Sequence, residues 1–162
     1  MWAAPMTAIS LAWGVVTYPT HAFTYEQVVA PLESPVVVTT AEQFSYPVAQ
    51  LTGVSQNFHL LHSGVDLRAP RGTAVLAMSQ GMVVEVKSMT VGYGHFVRIA
   101  HDGTLSTLYA HLDKVWVVPG QRIAKGEDVG TVGVTGWSTG PHLHFEVYEG
   151  NRAVNPTKYL GT

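Results

Sequence analysis

The sequence has no cysteine in its 162 residues. Disulfides, thiolate metal ligands and a cysteine nucleophile are thereby excluded. Charge is scarce as well. Asp, Glu, Lys and Arg make up 12% of the chain, about half the usual quarter. No base occurs before Arg68, so residues 1–47 carry only Glu26, Glu33 and Glu42. The net charge of −2 offers none of the basic surface on which phosphate-neutralising binders rely, and no nucleic-acid partner is expected. No apolar run reaches the roughly 20 residues of a membrane-spanning helix.

What is present falls into three segments. Residues 8–18, AISLAWGVVTY, have the length of a signal-peptide apolar core, and Thr20-His21-Ala22 ends in a small residue as a cleavage site does. The positively charged stretch that usually precedes such a core is missing. Residues 1–22 are expected to act as a signal-like segment, which implies export to the periplasm, cell envelope or exterior. Membrane anchoring is expected only through this segment. Residues 23–47, with Pro31, Pro35 and Pro47, read as an extended linker. Residues 48–162 read as one folded domain. Nothing in the pattern specifies an oligomeric state.

That domain reads as all-β. Short β-branched stretches alternate with glycine turns, and no stretch supports a long amphipathic helix. TAVLAM, MVVEVKSM, FVRIAH, TLSTLYAHL, VWVV and HLHFEVY are the expected strands. Their brevity and regular spacing suggest an antiparallel sandwich or barrel. Two segments, Gly72–Val84 and Gly120–Val132, rhyme as strand, glycine turn and strand.

With no cysteine and eight histidines, a metal site here must be built from imidazoles and carboxylates. Three clusters carry such groups. His142 and His144 lie two apart, so on a strand both face one side, while Leu143, Phe145 and Val147 face the other. Taken alone, the pair could be two solvent-facing histidines on an exposed edge. His62 and Asp66 flank Gly64, which would permit a sharp bend; taken alone, they could form a turn capped by Asp66. Both side chains are zinc-ligand types, and a third imidazole would leave a fourth position open, as catalytic zinc requires. His111, after Tyr109, adds a further imidazole able to move protons or stabilise an oxyanion. His95 and His101 read as turn residues beside Gly94 and Gly103, and His59 as a rim residue.

The order HxxxD, YAHL and GPHLHFE, with GYGHFVRIAH between, resembles the lysostaphin/LytM-type zinc endopeptidases that cut peptidoglycan cross-links. The resemblance covers about Val48 to Leu160. It implies a small antiparallel β-sandwich or barrel-sandwich hybrid with a sheet-floored, loop-walled groove. It implies one zinc ion held by His62, Asp66 and His144, with His111 and His142 as catalytic imidazoles that are not ligands. The implied substrate is the peptide of peptidoglycan. Many relatives carry a longer segment of the type S-x-F-G-x-R before the first ligand. Here Ser55-Gln56-Asn57-Phe58-His59 leads almost directly to His62, so a short groove wall is expected on that side. Two other readings compete. One is a non-catalytic wall-binding module or activator of another wall hydrolase. The other is a sugar-phosphotransfer domain with two facing histidines, which would have no use for Asp66.

Overall fold

A computed structural model describes residues 44–161. The signal-like segment 1–22 lies outside the described residues, as does the linker up to residue 43. In chain order the strands are β1 (Gly53–Gln56), β2 (Val65–Arg68), β3 (Ala74–Leu76), β4 (Gly81–Ser88), β5 (His95–Ala100), β6 (Leu105–Ala110), β7 (Leu112–Val115), β8 (Arg122–Ile123), β9 (Asp128–Val132), β10 (His142–Glu149) and β11 (Arg152–Val154). A single 3₁₀ turn, Pro156–Lys158, follows. The domain is all-β, as expected.

The strands form two antiparallel sheets, and neither closes into a barrel. The larger runs β1-β2-β10-β6-β5-β4-β8, with β11 also on β10, and the smaller runs β3-β9-β7. One hydrophobic core draws on both: Leu67, Val97, Tyr109 and Phe145 from the larger, Val75, Val129 and Val132 from the smaller. Phe44 and Tyr46, just before Val48, also pack against it. The rhyming segments pair with each other. β3 lies on β9 and β4 lies on β8, so each strand–turn–strand unit passes from one sheet to the other against its counterpart.

Two strand expectations change. TLSTLYAHL is not one strand. It breaks at His111, whose φ of +61° makes it the one described non-glycine residue in the left-handed region. β6 belongs to the larger sheet and β7 to the smaller, so His111 is the corner between them. Such a conformation costs about 1–3 kcal/mol and persists only where surrounding contacts impose it. VWVV, in turn, ends as a strand at Val115. Trp116 N–H still donates to Val129 C=O at 3.0 Å, but the chain then turns through Val118–Gln121, closed by Gln121 N–H to Val118 C=O at 3.1 Å. Pro119 and Gly120 (φ +86°) hold the central positions that a type II turn favours.

His95 and His101 are not turn residues of the kind expected. His95 opens β5. His101 follows β5 and closes a buried hydrogen-bond chain. Its Nδ1–H donates to the Gln80 carbonyl at 2.7 Å, so its Nε2, 2.8 Å from Thr107 Oγ1, accepts from that hydroxyl. Tyr109 Oη lies 3.1 Å from Thr107 Oγ1 and accepts from Met78 N–H at 2.8 Å. Burial holds the His101 pKa below its ordinary 6.5. The folded protein therefore keeps His101 neutral at a pH where the unfolded chain has protonated it, and stability falls as pH drops below about 6.5. In His101→Gln, denaturant midpoints measured from pH 7 to 5 should fall less steeply than in the wild type. Parallel slopes would remove His101 from the acid sensitivity.

Candidate metal centre

β10 positions the site by simple alternation. Leu143, Phe145 and Val147 enter the core, as their spacing predicts. His142, His144 and Glu146 occupy the opposite face. β2 runs antiparallel beside β10, with Asp66 opposite His144 and Arg68 opposite His142. β6 flanks the other side of β10, placing Ala110 opposite His144, so His111 begins the next turn of chain beside the same face. Registers set by the sheet thus gather residues from three distant stretches of sequence.

His62 arrives from the loop between β1 and β2. His59 and His62 exchange two backbone hydrogen bonds of 3.0 and 2.9 Å, with Leu60 and Leu61 at the tip. Gly64 serves here by its lack of a side chain rather than by unusual backbone freedom. A Cβ on it would lie 2.5 Å from the Phe145 carbonyl oxygen and 2.9 Å from His144 Cε1, so only glycine lets this loop pack directly onto β10.

Three ligand atoms converge. His62 Nε2 lies 3.1 Å from Asp66 Oδ1 and 3.2 Å from His144 Nδ1, and the latter lies 2.7 Å from Asp66 Oδ1. Each ring's other nitrogen is committed as a donor, His62 Nδ1–H to the Asn57 carbonyl at 3.1 Å and His144 Nε2–H to Glu146 Oε1 at 3.0 Å. With both rings neutral in these tautomers, two imidazole lone pairs and a carboxylate oxygen would face one point. Such a set calls for a cation, and two imidazoles with a carboxylate suit zinc. Without a metal a proton must serve. Burial alone would lower the His144 pKa, but hydrogen bonds to Asp66 and Glu146 outweigh it and raise the value to about 9. Asp66 is held below its ordinary value because its hydrogen bond with His144 and three nearby imidazoles outweigh its burial.

The remaining two imidazoles stand beside this triad without joining it. His111 Nδ1–H donates to the Thr135 carbonyl at 2.7 Å, and His142 Nδ1–H to the Gly140 carbonyl at 2.8 Å. Each thus leaves its Nε2 uncommitted, and His142 Nε2 lies 3.8 Å from Asp66 Oδ1. Their rings are 4.8 Å apart. Burial, with the neighbouring imidazoles adding to it, lowers the His111 pKa to about 4. Gly133 makes room for the arrangement: a Cβ there would meet the Asp113 nitrogen at 2.4 Å and the His111 carbonyl oxygen at 2.7 Å.

Glu146 was not assigned a role from sequence, yet it anchors the site. It is fully buried. Oε1 accepts from Ser63 Oγ, from Tyr93 Oη at 2.9 Å and from His144, while Oε2 accepts from Tyr148 Oη at 2.6 Å. Burial would raise its pKa, but hydrogen bonds from His144, Ser63 and Tyr148 hold it at about 2. An outer carboxylate placed in this way would fix the tautomer and orientation of a metal-ligating histidine. The signal available in sequence was its spacing, two residues beyond His144 on the same strand face.

All five residues line a cleft of about 350 Å³, walled by Tyr93 and Trp137. A larger cavity of about 650 Å³ lies at the far edge of the sheet, between β4 and β8. Two of its acidic groups are paired, Asp102 with Gln80 and Glu127 with the Ala124 N–H, and among the described residues no ligand atoms converge there. The chemistry belongs to the smaller cleft.

Comparison with known proteins agrees. The curated DD-carboxypeptidase/endopeptidase Mpg of Neisseria meningitidis is 46% identical over 96 residues, covering 59% of this chain and 22% of that protein. The curated relatives run longer; this chain spans 20% to 29% of the lengths of those it matches. Among solved structures, a zinc-containing peptidase from Vibrio cholerae aligns with a TM-score of 0.58 at 34% identity, over 70% of this chain and 37% of that one. The catalytic domain of lysostaphin from Staphylococcus simulans aligns with a TM-score of 0.58 at 31% identity, over 74% of this chain and 92% of that one. The model of peptidase family M23 matches residues 60–156, a span that includes the triad, both further imidazoles and Glu146. By sequence and fold alike, this chain belongs to peptidase family M23.

Proposed function

We propose that this chain hydrolyses the peptide cross-links of bacterial peptidoglycan, with one zinc ion held by His62, Asp66 and His144. The carrying observation is the convergence of two imidazole nitrogens and a carboxylate oxygen, with two further imidazole nitrogens uncommitted alongside. Zinc bound there supplies Lewis acidity to a carbonyl and to water alike. The chain's own residues handle the protons. His111 is neutral near pH 7 and offers Nε2 as an acceptor for the proton of the attacking water. His142 faces the same cleft and, when protonated, donates from Nε2 to the oxyanion or the leaving amine. The backbone carbonyls of Thr135 and Gly140 keep both rings turned inward. There is no HExxH segment, so no helical glutamate base is invoked.

The choice of zinc follows from the donor set and from the zinc content of the Vibrio cholerae neighbour. The substrate class is drawn from Vibrio cholerae relatives that are named peptidoglycan DD-endopeptidases, 37% identical over 124 residues and 39% over 97. Action on that substrate would require export beyond the cytoplasmic membrane, where the wall lies.

The test is a digest of purified peptidoglycan, read by mass spectrometry of the released muropeptides. New peptide ends should appear, vanish with chelator and return with zinc. A folded, zinc-loaded protein that releases none from walls of several chemotypes would favour a wall-binding module.

A further inference from the structure

The groove does not end at the triad. Beyond Asp66 and His142 it opens into a second cavity of about 510 Å³, to which Ser55, Arg68, Thr139 and Gly140 contribute. The two cavities share Gln56, Asp66, Thr139 and His142, so they form one continuous channel. Arg68 is the only cation lining either of them.

Arg68 is placed by the sheet. It lies two residues beyond Asp66 on β2 and opposite His142 on β10. Its carbonyl accepts from Thr52 N–H at 2.9 Å and from Thr52 Oγ1 at 3.0 Å, which ties the strand end down. Alternation puts Arg68 on the same face as the ligand Asp66. Arg68 is exposed, and among the described residues its guanidinium forms no ion pair and no hydrogen bond, whereas Arg71 and Arg98 pair with Asp113 and Glu85. A planar, always-charged donor fork thus stands unpartnered in the channel, matched to a planar anion.

Resting on the hydrolase reading above, we propose that Arg68 forms a carboxylate-binding subsite that selects substrates carrying a free carboxylate close to the scissile bond. Residues two apart on a strand are roughly 7 Å apart, and an extended peptide repeats over the same distance. A carboxylate one or two residues from the bond cut at the triad would reach the guanidinium. Amidation of that group removes the charge and one acceptor, and the fork loses its partner.

The experiment compares cross-linked muropeptide dimers in two matched pairs. In one, the residue on the amine side of the cross-link carries a free carboxylate or its carboxamide. In the other, the acid or amide stands on the acyl side. Zinc content is measured for every protein sample. The wild type should prefer the acid in one pair by about tenfold or more in kcat/KM, the range expected of a charge-assisted hydrogen bond. That pair identifies the side the channel reads. Arg68→Gln should bring the acid-to-amide ratio close to one at unchanged zinc content, and Arg68→Lys should restore part of it. Raising the salt concentration should shrink the wild-type ratio. A wild-type ratio near one in both pairs, or a ratio that survives in Arg68→Gln, overturns the subsite while the hydrolase reading stands. A zinc-loaded wild type that cuts neither the dimers nor purified wall overturns both.

Discussion

Replacing His62 with Ala is expected to abolish both metal binding and hydrolysis, whereas His111→Ala should keep its zinc and lose activity by about 10²–10⁴-fold. The two residues stand in one cleft, but their bonding differs. His62 Nε2 points at Asp66 and His144, so its loss removes one of three ligands. His111 Nδ1–H is tied to the Thr135 carbonyl at 2.7 Å, and His111 is not part of the convergent triad. Its removal takes away a proton acceptor and leaves the triad whole. Zinc stoichiometry by atomic emission, measured beside kcat/KM on muropeptides, checks both halves. Loss of zinc from His111→Ala would overturn the division of roles. His142→Ala should behave like His111→Ala, since its Nδ1–H is likewise held by a backbone carbonyl.

The second large effect belongs to Glu146. Glu146→Ala would leave the Tyr93 and Tyr148 hydroxyls, the Ser63 hydroxyl and the His144 Nε2–H without their acceptor in a fully buried position. Removing one partner of a buried charged pair costs about 3–5 kcal/mol, and chemical denaturation should show a loss of at least that order. Glu146→Gln keeps the shape and an accepting oxygen but lacks the negative charge that raises the basicity of His144. This variant should fold, and its zinc affinity should drop by about 10–100-fold. Competition against a chelator of known affinity measures it. Wild-type zinc affinity in Glu146→Gln would reduce Glu146 to a structural role.

The small wall formed by Asn57–Gly64 has a bearing on substrate access. Leu60 and Leu61 at its tip are almost completely exposed, and Trp137 on the facing wall is 78% exposed. The channel is therefore lined with polar side chains at its floor and edged by bare apolar side chains. That combination suits an extended peptide whose backbone lies on the sheet while small apolar side chains touch the rims. The interlock of the other two walls is tight: a Cβ on Gly136 would sit 2.2 Å from the Gly92 carbonyl oxygen, and Trp137 N–H donates to that same oxygen at 2.8 Å.

The sequence by itself determined a good deal. Two-residue alternation identified which face of the HLHFEV strand enters the core, because strand geometry is local and needs no partner. The lack of cysteine confined any metal site to imidazoles and carboxylates. The order of the three histidine-bearing motifs marked the residues that the fold then brings together, and glycine punctuation indicated an all-β domain. What it did not determine depends on contacts between distant segments. That His111 is a corner between two sheets follows from β6 and β7 belonging to different sheets, and the modest tolerance of histidine for φ +61° does not by itself single it out. That Gly64 is needed for space appears only once β10 lies beneath it. The roles of Glu146 and Arg68 were decided in the same way. A carboxylate two residues past one proposed ligand and a guanidinium two residues past another look like ordinary strand residues until cross-strand register sets one among four donors and leaves the other unpaired in the channel. Register is a property of the pairing of strands far apart in the chain, so only the tertiary structure could settle it.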